Sequence, residues 1–220
     1  MSSLRAKAIN SGFWSFFETF ANKGLQFVVS IILARLLMPA DFGIVGVLAI
    51  FIGIAGVLVD SGFKTSIIRT KNLTDADCST IFWVNMGVGI TVGSIIFLSA
   101  NGIANLFDKP ELVSVTRVFA LIPVLNGLGL VQAAVLFKNL EFKRNAKIAV
   151  FSNIIAGGVA IFLAYQGFSY WALVWKSVLV ALLYNLFLWL SSKWRPRMFF
   201  SVEIFKKHFR FSSRLLLTGI

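Results

Sequence analysis

The stretch Ala34–Leu48, ARLLMPADFGIVGVL, sets a cation, a helix breaker and an anion (Arg35, Pro39 and Asp41) between two long apolar runs. A backbone leaving hydrocarbon has to reverse where water can satisfy its N–H and C=O groups. LMPADFG reads as that reversal. Pro39 suits the turn or the first helical position, and Asp41 can accept N–H bonds from the next helix's first turn, where the helix dipole also favours an anion. Arg35 sits at the opposite dipole end, in the last turn of the preceding helix. The segment reads as a tight hairpin of two membrane helices.

Composition extends that reading to the whole chain. Hydrophobic residues make up 58%, charged residues only 14%, and mean hydropathy is +0.84, all outside the range of a soluble domain. Apolar stretches recur at 11–37, 41–63, 79–107, 112–137, 145–166 and 168–192. Each can cross a hydrocarbon core of about 30 Å as a helix. The expected fold is all-α and membrane-integral, with a six-helix transmembrane lobe over residues 1–192. The first span carries Glu18 and Lys23, is too long for a secretory h-region and has no small-residue cleavage site after it, so it is not read as a removable signal.

Basic residues divide unevenly among the loops, and this predicts orientation. With the N-terminus inside, most of the 21 Lys and Arg residues fall in four inner segments: the N-terminus, Lys64–Lys71, Lys138–Lys147 and the tail from Lys193. The outer loops keep Lys109 alone. The net charge of +12 then reflects topology and contact with anionic lipid, and nucleic-acid binding is not expected, because membrane spans separate the basic groups. Trp14, Trp83, Trp189 and Trp194 are expected at the inner boundary and Trp171 and Trp175 at the outer one.

The single cysteine, Cys78, excludes an internal disulfide, and the single histidine, His208, lies in the basic tail, so neither a metal site nor a usual Ser/His/Asp triad is expected. Asp75 and Asp77, in NLTDAD, read as a helix N-cap. Glycines at 87, 89, 93, 127, 129, 157 and 158 lie inside spans, where small residues let helices approach closely. Pro123 permits a kink in the fourth span.

Along the first span Ser11, Ser15, Glu18, Asn22, Gln26 and Ser30 recur every three or four residues, a polar stripe on one helix face. In hydrocarbon such a stripe faces other helices or a wet cavity. Ionisable groups within spans are functional candidates for the same reason. Lys23 lies roughly 18 Å along the helix from Ser11, near mid-membrane. Arg117 and Lys176 each sit about two turns inside the outer boundary. Folding at Pro39 brings Asp60 to about the depth of Glu18, so these two carboxylates are candidates for proton or cation exchange, unless Asp60 instead pairs with Lys64 at i,i+4.

Four phrases, ARLLMPADFGIVGVL, DSGFKTSIIRTKNLTDADCSTIFWVN, FKNLEFKR and WRPRMFFS, together resemble the oligosaccharide and polysaccharide flippases of the multidrug/oligosaccharidyl-lipid/polysaccharide superfamily. The likeness is to the Wzx branch that includes colanic-acid-type exporters. It implies a bacterial inner-membrane carrier, N-terminus cytoplasmic, that moves undecaprenyl-pyrophosphate-linked oligosaccharide by alternating access between two six-helix lobes around a cationic cavity. Residues 193–211 then resemble the basic amphipathic linker between lobes, and 212–220 the start of a seventh span, so a C-terminal lobe is expected as partner. On this resemblance Lys23, Arg117 and Lys176 meet pyrophosphate, while the stripe with Asn22 and Gln26 faces the sugar. Glu18 and Asp60 are the ion-coupling candidates, for H+ or Na+, and no cofactor or metal is expected. The alternative is a cation-coupled multidrug-type exporter of the same superfamily, against which the excess of intramembrane cations argues. A membrane-embedded transferase would need a catalytic carboxylate or histidine near a membrane face, and NLTDAD reads more simply as a cap.

Overall fold

The computed structural model describes Phe20 and residues 22–218, and every regular element among them is a helix. Residues 22–36 form α1, followed by α2 (Pro39–Asp60), α3 (Phe63–Arg69), α4 (Asp75–Leu98), α5 (Ala100–Leu106) and α6 (Glu111–Phe119). Then come α7 (Leu121–Lys138), α8 (Phe142–Tyr165), α9 (Tyr170–Ser191) and α10 (Val202–Thr218). Five stretches are long and apolar enough to cross a membrane: Pro39–Arg69, Asp75–Leu98, Glu111–Lys138, Phe142–Tyr165 and Tyr170–Ser191. They match the second to sixth expected spans. The first is described only from residue 22 onward, and Glu18, Ser11, Ser15 and Trp14 lie outside the described residues.

Two of the spans are interrupted, each for an identifiable reason. Between α2 and α3, Ser61 (φ 40°) and Gly62 (φ 74°) take left-handed conformations, which end one helix and start the next. Between α6 and α7 the helix is interrupted at Ala120, three residues before Pro123, whose ring removes one backbone donor and crowds the carbonyl a turn earlier. The apolar span expected over 41–63 carries no sign of the elbow at Ser61–Gly62.

The hairpin at Pro39 forms as read, with proline in the first turn of α2. Asp41 bonds differently from the expectation: its Oδ2 accepts the N–H of Met38, the N-cap residue, at 2.9 Å, and its Oδ1 accepts the hydroxyl of Ser169. A third-position acid reaches back to the cap rather than forward along the turn. Through Ser169 it also ties the α1–α2 hairpin to the α8–α9 hairpin at the same end of the bundle.

Close helix approach uses some of the glycines and not others. A Cβ on Gly89 or Gly93 of α4 would lie 2.7 Å from backbone oxygens of Pro123 or Ala120, and one on Gly127 would lie 2.6 Å from the carbonyl of Asn85. These contacts fuse α4 to α7. On the far side α1 packs along α8 and α9 through Val29, Leu33, Leu37, Ala160, Ala164 and Leu173. Gly87 and Gly158 have open space where a side chain would go, so they do not serve the packing expected of them. Large apolar side chains such as Phe27, Ile54, Ile95, Phe151 and Leu190 point out of the bundle, as lipid-facing positions should.

The tail is fastened to the bundle. Trp83, Trp189 and Trp194 surround Phe82, with ring centroids 5.4, 6.0 and 6.2 Å away. The three indoles expected at a lipid boundary therefore form a junction among α4, α9 and the segment leading to α10. The helix α10 sits in the α2–α3 elbow, with Ser212 against Gly62 and the Phe205 ring 6.5 Å from that of Phe63. In α10 Phe205 turns to the protein while Phe209 stays exposed, and Phe199 and Phe200 in the segment before it are exposed as well.

Candidate functional site

The polar stripe of α1 faces neutral polar groups of α8 and a lysine of α9. Asn22, Gln26 and Ser30, one helical turn apart, lie along one side of α1. Asn153 of α8 donates its amide to Asn22 Oδ1 at 3.3 Å and to the carbonyl of Ala149 at 2.9 Å. Below that contact opens a cleft of about 340 Å3 lined by Gln26, Ser30, Val45, Asn153, Leu173, Lys176, Ser177 and Val180. Lys176 lies six residues into α9, about 9 Å from its start. It is half-buried, and among the described residues no carboxylate lies within salt-bridge distance of it. A cleft with one ammonium, two side-chain amides and two hydroxyls can hold an anionic group together with a hydroxyl-rich one.

Three of the sequence candidates, Asn22, Gln26 and Lys176, thus come together in the described structure. The others go elsewhere. Lys23 is exposed on α1 and lines none of these cavities. Arg117 of α6 stands over the Phe97 ring, 5.3 Å from its centroid, in a separate groove with Gly93, Ser94 and Val124. Asp60 lines a cavity of about 220 Å3 with Lys64, Asn126, Tyr184 and Asn185. The i,i+4 pair of Asp60 with Lys64 is not formed, because the two left-handed residues between them destroy the helical register. Lys64 instead places its ammonium 4.3 Å from the centre of the Phe137 ring.

Sequence reasoning missed a second polar centre. His208 is 1% exposed and bridges three helices: its Nδ1 is 2.7 Å from Ser66 Oγ of α3, and its Nε2 is 3.2 Å from Asp77 Oδ1 of α4. Asp77 also accepts the Thr74 N–H (2.9 Å) and hydroxyl (2.6 Å) at Oδ2, which completes the N-cap foreseen in NLTDAD. A proton on Nε2 suits the carboxylate, and Nδ1 then accepts the Ser66 hydroxyl. The three residue types are those of a hydrolytic triad, but Asp77 is committed to a helix cap and Ser66 is buried, so the cluster works as a fastener of α10. No local signal announces it, since His208 lies 142 and 131 residues from its partners. Among the described residues no three His, Cys, Asp or Glu side chains gather as a metal site would require.

A family described as "Polysaccharide biosynthesis protein" matches residues 32–220. The chain belongs to that family. Within the polysaccharide biosynthesis family it is similar to the lipopolysaccharide biosynthesis protein WzxC of Escherichia coli K12, 29% identical over 99% of this chain and 45% of the relative. The succinoglycan biosynthesis transport protein ExoT of Rhizobium meliloti is 27% identical over 86% of this chain and 38% of its own length. The teichuronic acid biosynthesis protein TuaB of Bacillus subtilis is 26% identical over 98% and 46%. The chain spans less than half the length of these curated relatives. No solved structure matches significantly. Family membership and five stretches long and apolar enough to span a bilayer make this a multi-pass membrane protein of the polysaccharide biosynthesis family.

Proposed function

We propose that the chain is one lobe of a flippase that carries undecaprenyl-pyrophosphate-linked oligosaccharide across the bacterial inner membrane by alternating access with a second, C-terminal lobe. The observation that carries this reading is the half-buried Lys176 inside the polar cleft of α1, α8 and α9, with no carboxylate within salt-bridge distance among the described residues. A lysine held within a membrane span needs a partner or water to offset its desolvation, and a pyrophosphate oxygen is a fitting partner for a point-charge ammonium. Gln26, Asn22 and Asn153 offer amides to sugar hydroxyls. Lys23, exposed on the adjoining side of α1, and Arg117, in its own groove, are cations a lipid-linked anion meets before or after the cleft. Coupling would run through H+ or Na+ exchange at Asp60 and Glu18.

The inner-facing end is the one with the loops Lys64–Asp77 and Lys138–Lys147 and the segment after Lys193, by the basic-residue bias. An impermeant thiol reagent added outside should label a cysteine at Lys109 and miss one at Lys143; the reverse pattern overturns the orientation. The multidrug-type alternative loses ground because none of the described residues lining the cleft is a carboxylate, where a cationic drug would want one. The transport reading is tested with the full protein in a flippase-null cell. Lys176→Met should insert at normal levels and lower polymer export at least about tenfold, Lys176→Arg should retain part of it, and Lys176→Glu should retain least. Wild-type export by Lys176→Met removes the cleft from the proposed path.

A further inference from the structure

Where α10 docks on α3, a separate cavity of about 260 Å3 opens, lined by Ser66, Arg69, Thr70, Lys207 and His208. Its chemistry is one-sided. Arg69 and Lys207 stand exposed at its rim, Ser66 and His208 form a buried floor, and none of the described residues lining it is a carboxylate. The nearest acid in the network, Asp77, lies behind the imidazole with both oxygens engaged. Carbonyl oxygens at the end of α3 would repel an anion, but Lys138 already donates to those of Ile68 (3.4 Å) and Thr70. Ser66, Arg69 and Thr70 fall at i, i+3 and i+4, so α3 presents them on one face, and the docked α10 brings Lys207 opposite.

A forked guanidinium and a point-charge ammonium across a small polar cavity form a donor set for phosphate oxygens. We propose that this cavity binds a phosphate group, and that the site exists only while the Ser66–His208–Asp77 contact holds α10 against α3 and α4. It is built from different helices than the transport cleft, and a cavity of this size has no room for an oligosaccharide. A lipid headgroup or free phosphate would satisfy the same donors. Occupancy would join the Arg69 side chain of α3 and the Lys207 side chain of α10 through a shared anion and so favour the docked linker.

The test follows thermal unfolding of the protein in nanodiscs. In one arm the lipid is phosphatidylcholine and inorganic phosphate is titrated against sodium chloride at constant ionic strength. In the other, phosphatidylglycerol is introduced without phosphate in the buffer. A saturable rise in Tm in the first arm identifies free phosphate as a ligand; a rise in the second alone identifies the headgroup. Either supports the site, provided that Arg69→Gln and Lys207→Gln each weaken the effect about tenfold and together abolish it, while Lys206→Gln, outside the lining, leaves it intact. Both substituted residues are exposed, so their variants should fold. The site is overturned by an unchanged Tm in both arms, or by a rise that survives the double substitution or is lost equally in Lys206→Gln.

Discussion

The bundle holds two polar centres that differ in how completely their groups are paired. At the end where α3, α4 and α10 meet, Asp77 accepts from Thr74 and His208, and His208 is held on both ring nitrogens. In the cleft among α1, α8 and α9, the described neighbours of Lys176 are neutral amides, hydroxyls and apolar side chains. A buried network with every member satisfied rigidifies a structure, whereas a charge kept in a membrane span without a counterion is retained for something that comes and goes. The two regions should therefore answer substitution in opposite ways, one through stability and the other through transport.

The largest effect is expected at Asp77. Asp77→Ala removes the carboxylate half of the α4 capping box, worth up to about 1 kcal/mol, and leaves the buried imidazole without its acceptor, worth about 1–3 kcal/mol, so unfolding stability should fall by about 2–4 kcal/mol. Asp77→Asn keeps an acceptor and should recover part of the loss. Denaturant unfolding of the two variants in detergent measures this, and an Asp77→Ala protein as stable as its parent would make the network incidental. Lys176→Met comes next, with the opposite sign. Removing a half-buried charge while keeping much of the apolar stem should leave stability unchanged or raise it by up to about 1 kcal/mol. A comparable loss instead would class Lys176 with the fasteners and dissolve the contrast between the regions.

What was legible beforehand follows the range of the interactions involved. The spans, the turn at Pro39 and the N-cap at Thr74 rest on hydropathy and on residues three or four apart, and each lies where its local chemistry puts it. The elbow at Ser61–Gly62 was hidden because serine rarely takes positive φ, and the conformation is supported by α10 packing on it from 150 residues away in sequence. Trp83, Trp189 and Trp194 looked interfacial one by one; only the fold brings them to a common phenylalanine. The stripe on α1 was readable as a stripe, and its pairing with Asn153 and Lys176 was not, since neutral Asn153 carries no mark distinguishing it from a lipid-boundary amide. Arg117 and Lys176 looked equivalent by depth, yet α6 and α9 present them to different grooves.

The smallest effect should come from the most conspicuous charge pair. Arg197 approaches Asp75 at 3.3 Å where the tail crosses the start of α4, but the two side chains are 75% and 57% exposed. At that exposure water competes with the pair and salt screens it, so Asp75→Asn should change stability by no more than about 0.5 kcal/mol and the change should vanish at high salt. The backbone of Arg197 holds the tail more firmly than its side chain does. Its N–H donates to Ser79 Oγ at 3.1 Å, and its carbonyl accepts Trp83 Nε1 at 2.9 Å. Ser79 is fully buried, and Ser79→Ala would leave that N–H seeking another acceptor. A cost of about 1 kcal/mol, insensitive to salt, is expected there. If Asp75→Asn instead proved the more damaging of the two, the tail would be held by charge rather than by hydrogen bonds to its backbone, and its attachment to α4 would loosen with ionic strength.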